Sequence, residues 1–164
     1  MKHIKEIALI FAIIFLICGC STVKHFTPDN QEFNAESIAN YHSSTVNLIV
    51  NDLRSENADQ TRNVIERILL SNFDLFYDSY KDENIVITVD IIEHRAFFRF
   101  SMWNAETILN ISIKSENNML YETKIEETDR AWNMWGYRTG IEVEQRTFDR
   151  AMNELLGILE NTRI

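Results

Sequence analysis

Cysteine, proline and glycine are all scarce in this chain of 164 residues, which contains two, one and four of them. Both cysteines, Cys18 and Cys20, lie near the N-terminus, so no disulfide can form within residues 21–164. A domain built from those residues must therefore be stabilised by its hydrophobic core alone. The single proline, Pro28, lies in a polar region that shows no sustained periodicity.

The sequence also lacks the motifs of common catalytic sites. It has neither a Gly-rich phosphate loop nor a Gly-x-Ser-x-Gly nucleophile motif. His25, His42 and His94 have no second histidine or cysteine at metal-ligand spacing. We therefore interpret each of them as an ordinary surface or edge residue, and we expect no catalytic residues.

Acidic residues cluster after the first predicted helix, at Asp74, Asp78, Asp82 and Glu83. Calcium prefers oxygen ligands, but this spacing does not fit an EF-hand loop. Aromatic and leucine side chains between the carboxylates are typical of packing residues. The cluster is interpreted as a solvated loop, and we expect no metal or other cofactor.

Basic residues are outnumbered by acidic ones, 16 to 25, which gives a formal net charge of −9 at pH 7. No basic stripe is visible, so binding to nucleic acid or peripheral attachment to anionic lipid is not expected. The acidity is interpreted as a solvated surface that keeps the domain soluble. A cationic partner is the alternative.

The N-terminus has a short apolar run after a basic start. The basic start, Lys2–Lys5, is typical of the n-region of a secretory signal. The entirely apolar run that follows, Ile7–Ile17, is typical of its h-region. The run is shorter than the roughly 20 apolar residues of a membrane-spanning helix. Residues 1–19 are therefore predicted to be cleaved, which removes a net charge of +1 and makes the mature chain more acidic still.

The signal ends in Ile17-Cys18-Gly19-Cys20, which resembles the lipobox of bacterial lipoproteins. The resemblance implies cleavage between Gly19 and Cys20, a thioether-linked diacylglycerol on Cys20 and acylation of the new amino group. Two or more acyl chains give stable anchoring, at roughly 0.8 kcal/mol per buried CH₂. Ser21 in place of Asp implies the outer membrane, on its periplasmic side, if the organism has two membranes. The alternatives are an ordinary signal peptide cut nearby and an uncleaved anchor.

The chain beyond the signal is divided into a tether and a domain. Residues 20–42 are predicted to be the lipidated N-terminus and a polar tether, which could reach roughly 60–70 Å when extended. Residues 43–164 have the usual size of a single domain.

Hydrophobic periodicity predicts six elements within that domain. Period-two alternation predicts strands, and apolar residues recurring at three and four positions predict helices. The strands are expected over 44–53, 85–92, 105–114 and 119–127, and the helices over 58–73 and 141–160. The order β-α-β-β-β-α predicts an α+β fold with a mixed, mostly antiparallel four-stranded sheet and two helices on one face.

Three details refine this layout. The aromatic stretch Phe97–Trp103 is expected to extend a strand or to pair into a hairpin. Asn57 is the predicted N-cap of the first helix. Asn117 and Asn118 tolerate the positive φ angles of a tight turn, so a hairpin turn is expected there.

Three features together resemble the YajG-type group of bacterial lipoproteins. They are the lipobox, the strand end Asn51-Asp52-Leu53-Arg54 followed by a helix, and the run Asn133-Met134-Trp135-Gly136-Tyr137 before a closing helix. More distantly, the layout is similar to small outer-membrane assembly lipoproteins of the LptE type. The YajG group has no established activity to carry over.

Residue types that are enriched at binding interfaces crowd into the connection before the last helix. The candidate interaction surface consists of Trp132, Met134, Trp135, Tyr137 and Arg138. The alternative is that these rings plug the end of the core.

These observations predict a non-catalytic, lipid-anchored periplasmic protein. It is expected to serve as an accessory or structural subunit of an envelope complex, through contact with an envelope protein. A lipid or lipopolysaccharide binding or transport accessory is the first alternative, and an envelope hydrolase is the second.

Overall fold

The computed structural model describes residues 22–29, 46–54, 60–74, 84–116, 118–132 and 137–162. Its elements, in chain order, are strands β1 (Thr22–Lys24) and β2 (Val46–Asp52), helix α1 (Thr61–Ser71), strands β3 (Ile85–Arg99), β4 (Met102–Ser115) and β5 (Asn118–Trp132), and helix α2 (Tyr137–Asn161). The predicted α+β fold is confirmed. The signal segment, Cys20, His42 and Asn57 lie outside the described residues.

The sheet is mixed and mostly antiparallel, as predicted. Strands β3, β4 and β5 form a meander in which β3 pairs with β4 over its whole length. Strands β1 and β2 therefore share the other edge of β3. Strand β2 runs parallel beside Ile85–Ile91, and β1 runs antiparallel beside Ala96–Phe98. The fifth strand is β1, which falls in the segment predicted to be a tether.

Both helices pack on one face of the sheet. Alternate residues of the strands meet the apolar stripes of α1 and α2 in one continuous cluster. Completely buried members of that cluster include Ile65, Leu69, Ile87, Ile91, Ile111, Phe148 and Leu155. Burying one such side chain contributes roughly 1.5–3 kcal/mol, which explains how a domain without disulfides is stable.

A β-bulge changes which residues of β3 face the helices. The register with β4 shifts between Ile91 and Glu93, so Ile92 is the extra residue. Before the bulge the odd-numbered residues are buried, and after it the even-numbered His94 and Ala96 are buried. The prediction that His94 is a surface or edge residue at a strand end is therefore wrong, because it lies within β3 and is fully buried.

The aromatic stretch Phe97–Trp103 forms a hairpin, one of the two predicted possibilities. Phe98 pairs with Trp103, and Phe100 and Ser101 make the turn between β3 and β4. Helix α1 begins at Thr61, three residues later than predicted, and its N-cap is Gln60, so the prediction of Asn57 as the N-cap is wrong. No helix in the described ranges is both long enough and apolar enough to cross a membrane.

Candidate functional site

Residues 22–29, which we call the N-terminal clasp, pack against the domain instead of forming part of a tether. Strand β1 pairs with β3, and the ring nitrogen Nδ1 of His25 lies 3.0 Å from the carbonyl oxygen of His94. Phe26 packs against a second small core around Trp103. Pro28, predicted to lie in a polar tether, is buried.

Polar contacts connect the clasp to both helices. The backbone N–H of Asp29 donates to Oε1 of Gln145 at 2.7 Å, and Nε2 of Gln145 donates back to the carbonyl oxygen of Asp29 at 2.8 Å. The N–H of Gln60, just before α1, donates to Oγ1 of Thr27 at 3.3 Å. The contacts with Gln145 join the N-terminal segment to a residue 116 positions later in the chain.

A buried polar cluster lies beneath the clasp, between β3, β4 and α2. His94 Nε2 is 3.5 Å from Oε1 of Glu144, and these side chains are 0% and 1% exposed. On its other side, His94 Nδ1 is 3.0 Å from the hydroxyl of Thr107, which is 2.9 Å from the hydroxyl of Thr147. The N–H of Phe26 donates to Oε1 of Glu144 at 3.4 Å. Because the histidine and glutamate are enclosed, the cluster positions the clasp and α2 on the sheet.

Strands β1 and β2 leave a gap along the edge of β3, between Ile91 and Ala96. In this gap, side-chain hydrogen bonds take the place of strand pairing. The guanidinium Nη1 of Arg54 donates to the carbonyl oxygen of His94 at 3.3 Å. The Arg54 guanidinium also donates two hydrogen bonds to Asp52, from Nε at 2.9 Å and from Nη2 at 2.6 Å. This bidentate pair fixes the chain as it leaves β2, which gives the strand-end sequence a structural role.

A cleft of about 300 Å³ opens at the same gap. It is lined by Val23, His25, Leu53, Arg54, Ile92, Glu93 and Arg95. The charged groups among these side chains suit a small polar ligand better than an acyl chain. In the described ranges, no group of three histidine, cysteine, aspartate or glutamate residues is placed to hold a metal ion.

Exposed aromatic side chains mark one end of the sheet, where the β3–β4 turn and the end of β5 meet. Phe100 is 76% exposed and Trp132 is 73% exposed. The neighbouring Trp103 is only 6% exposed, because it packs on Phe98 and on Gly140 of α2. We call the surface formed by Phe100 and Trp132 the aromatic end.

The candidate interaction surface of the sequence is only partly visible. Trp132 is exposed, whereas Met134 and Trp135 lie outside the described residues. Tyr137 and Arg138 begin helix α2. Gly19 and Cys20, the predicted cleavage and lipidation residues, are also outside the described ranges. Of the acidic cluster, only Asp74 is described, and it is exposed.

Sequence reasoning missed the His94–Glu144 pair and Phe100. The bulge that buries His94 has no signature in the alternation of apolar residues. Phe100 carried a usable signal, since Phe100-Ser101 separates two alternating runs by the two residues of a tight hairpin turn.

An ion-pair network joins α2 to β5 on the opposite side of the helix from the clasp. Arg146 Nε and Arg150 Nη2 lie 2.6 Å and 3.2 Å from Oδ2 of Asp129. Burial raises the pKa of Asp129. This effect is outweighed by hydrogen bonds from the Arg146 side chain and the Arg130 N–H, and by the positive charges of Arg146 and Arg150, all of which lower the pKa. The net result is a pKa below the ordinary value of 3.8.

No protein-family model matches the chain, and no curated protein matches it significantly. Among solved structures, a Xanthomonas campestris protein of the DUF330 family is similar, with a TM-score of 0.49 and 12% identity over 81% of this chain and 89% of that one. A Caulobacter crescentus protein described as a candidate lipoprotein is similar with a TM-score of 0.42 and 8% identity, over 70% of this chain and 87% of that one.

Proposed function

We propose that the protein is a lipid-anchored envelope protein that carries acyl chains on Cys20 and acts without catalysis, by binding a protein partner. The lipobox-like run ending in Cys20 supports the anchor. Ser21 supports a location on the periplasmic side of the outer membrane.

The geometry that carries the partner-binding proposal is the long β-meander, whose two ends differ. At about 3.3 Å per residue, the 14 residues of β4 span about 45 Å. One end carries Phe100 and lies beside the start of β1, close in sequence to Cys20. The opposite end therefore lies far from the anchor.

The end away from the anchor is the turn between β4 and β5, and it presents an exposed apolar pair. Met119 is 48% exposed and Leu120 is 37% exposed. The register of β4 and β5 shifts between Ile113 and Lys114, so Leu120 is an extra residue that a bulge directs outward. A flexible methionine beside a leucine suits an adaptable protein contact. We name Met119 and Leu120 the distal pair.

The anchor is tested by replacing residues 1–19 with an ordinary cleavable signal peptide and changing Cys20→Ala. The natural chain is expected in the membrane fraction, and the altered chain in the soluble fraction of the envelope. The replaced signal matters because an uncleaved apolar segment would hold the protein in the membrane without lipid. Equal membrane retention of both chains would refute the lipid anchor.

The partner contact is tested by placing a photocrosslinking side chain at Leu120 in the natural, lipidated protein. Glu160 is the matched control, because it is exposed at the same end of the domain but on α2. We expect a defined protein to be crosslinked from Leu120 and not from Glu160. The Met119→Asp variant should lose this product. Identical products from both positions would contradict a contact at the distal pair.

A further inference from the structure

We propose that the aromatic end sits in the headgroup region of the same membrane that holds the acyl chains, so that the domain docks on the bilayer. The inference rests on the proposed lipidation of Cys20, and it goes further by naming the residues that touch lipid. The occupant of this surface is a phospholipid bilayer.

The path of the chain places the anchor beside this end. Thr22 pairs with Phe98, and β1 runs antiparallel to β3. Strand β1 therefore begins beside the end of β3, next to Arg99 and Phe100. Only Ser21 lies between Cys20 and Thr22 in the sequence, and two residue steps of extended chain span at most about 7 Å.

The contacts of the clasp fix the start of β1 to the domain. Because residues 22–24 are paired with β3 and Asp29 is bonded to Gln145 of α2, an anchor two positions before β1 cannot move away from this end of the sheet without breaking those contacts. The 60–70 Å tether expected from the sequence would have left the domain free to face any direction. With the clasp in place, acyl chains on Cys20 hold the aromatic end at the bilayer surface.

Phe100 is an unusual residue for a solvent-exposed turn. Its φ is 51°, and Ser101 follows with a φ of 61°, so both turn residues are in the left-handed region. Such turns favour Asn-Gly or Asp-Gly, and a bulky aromatic residue there is strained. Strain of this kind persists mainly where it serves a function. An exposed phenyl ring is also poorly hydrated, whereas the bilayer interface accepts aromatic rings.

Trp132 provides a second ring on the same end. Arg99 pairs with Met102, and Met102 pairs with Trp132, so Trp132 lies in the row of the sheet next to the Phe100 turn. Neighbouring strands are about 4.8 Å apart, which places both rings within reach of one patch of bilayer. Tryptophan is enriched at membrane interfaces, where its ring is half buried and its N–H stays hydrated.

The charges at this end suit phospholipid phosphates. Arg99 and Arg130 are the only charged residues within 97–104 and 130–132, although the chain carries a net charge of −9. The Arg99 guanidinium lies 4.8 Å from the centre of the Phe100 ring, which presents both groups together. Arginine recognises phosphate through a planar, bidentate fork.

The test measures contact with lipid at chosen positions of the full, lipidated protein. No cysteine follows Cys20, so a single cysteine at Ser101 or Leu120 can be labelled with a fluorophore. The protein is reconstituted into vesicles of phosphatidylethanolamine and phosphatidylglycerol that contain a nitroxide-bearing lipid. We expect a large loss of fluorescence from the label at Ser101 and none from the label at Leu120.

Quenching at Ser101 could result from docking of the aromatic end or only from the nearby anchor. Two variants of the Ser101-labelled protein distinguish these causes. Phe100→Asn and Trp132→Ser are each expected to reduce the quenching, and together to reduce it further, so that only the quenching caused by the nearby anchor is left. Asparagine tolerates positive φ, so Phe100→Asn should not lower the melting temperature. Quenching that both variants leave unchanged would overturn the inference.

Flotation of the vesicles separates failure of the inference from failure of the anchor. Protein that does not float with the vesicles contradicts lipidation of Cys20, and with it the proposed function. Protein that floats but shows equal quenching at Ser101 and Leu120 keeps the anchor and overturns the docked orientation. The inference is also overturned, in favour of a protein occupant, by two results together. They are a label at Ser101 that lipid does not quench, and a protein that is crosslinked to the same position in native envelopes.

Discussion

Gly140 lies where helix α2 crosses Trp103, and the close approach of backbone and ring explains why no side chain is there. A Cβ atom built on Gly140 would lie 2.9 Å from Cδ2 and Cε3 of the indole. Gly157, in the same helix, would have nothing within 4 Å of an added Cβ. The two glycines therefore differ in packing while sharing a helical conformation.

Alanine at these glycines should change stability in opposite directions. Gly157→Ala is expected to raise the free energy of unfolding by about 1 kcal/mol, from helix propensity alone. Gly140→Ala is expected to lower it, because the indole and the helix must move apart. Chemical denaturation of both variants measures the two signs, and a stabilising Gly140→Ala would show that Trp103 does not pack as described.

At the same scale, Thr107 connects His94 to Thr147 inside the domain. Thr107→Val keeps the shape but removes the hydroxyl that both neighbours contact, which should cost about 1–3 kcal/mol of unfolding free energy. Thr128→Val, on the exposed side of β5, is the control and should stay within about 0.5 kcal/mol of the parent. Equal effects of the two variants in urea denaturation would contradict a buried polar cluster.

At the scale of elements, local regularity decided what the sequence could predict. Alternation along β3 and β4 and the spacing of apolar residues in both helices were strong enough to predict the α+β layout. The bulge at Ile92 was not predictable, because one extra residue reverses the faces without altering the apolar content. His94, interpreted from the sequence as a surface or edge residue, is consequently a core residue.

The contact between α2 and β5 should make stability depend on pH. The pKa of folded Asp129 lies below the ordinary value of 3.8, so the folded state binds this proton less readily than the unfolded state does. The resulting stabilisation is complete above the unfolded pKa and disappears as pH falls through the folded pKa.

Asp129→Asn tests this dependence. The parent should be more stable than the variant at neutral pH, by at most about 1 kcal/mol, since the Arg146 side chain is about half exposed to solvent. The difference should shrink as the pH falls below about 4, and also when high salt is added at neutral pH. Unfolding measured across pH supplies the test, and a difference that grows in acid would contradict the network.

At the scale of the whole molecule, the packing of the N-terminal segment determines which end of the domain the anchor lies beside. A strand of three residues is too short to show periodicity, and the partners of the clasp lie as far along the chain as Gln145. Composition alone therefore predicted a tether for residues 20–42, whereas residues 22–29 pack on the domain. The candidate surface near Trp132 was visible in composition, but its position beside the anchor depends on the pairing of β1 with β3.

Cys20 connects the sequence motif, the clasp and the docked orientation. The most direct measurement is mass spectrometry of the N-terminal peptide of the mature protein, taken from native membranes. We predict a chain that begins at Cys20 and carries the mass of a thioether-linked diacylglycerol with an acylated amino group. A mature chain that begins elsewhere, or an unmodified Cys20, would contradict the lipid anchor and the orientation built on it.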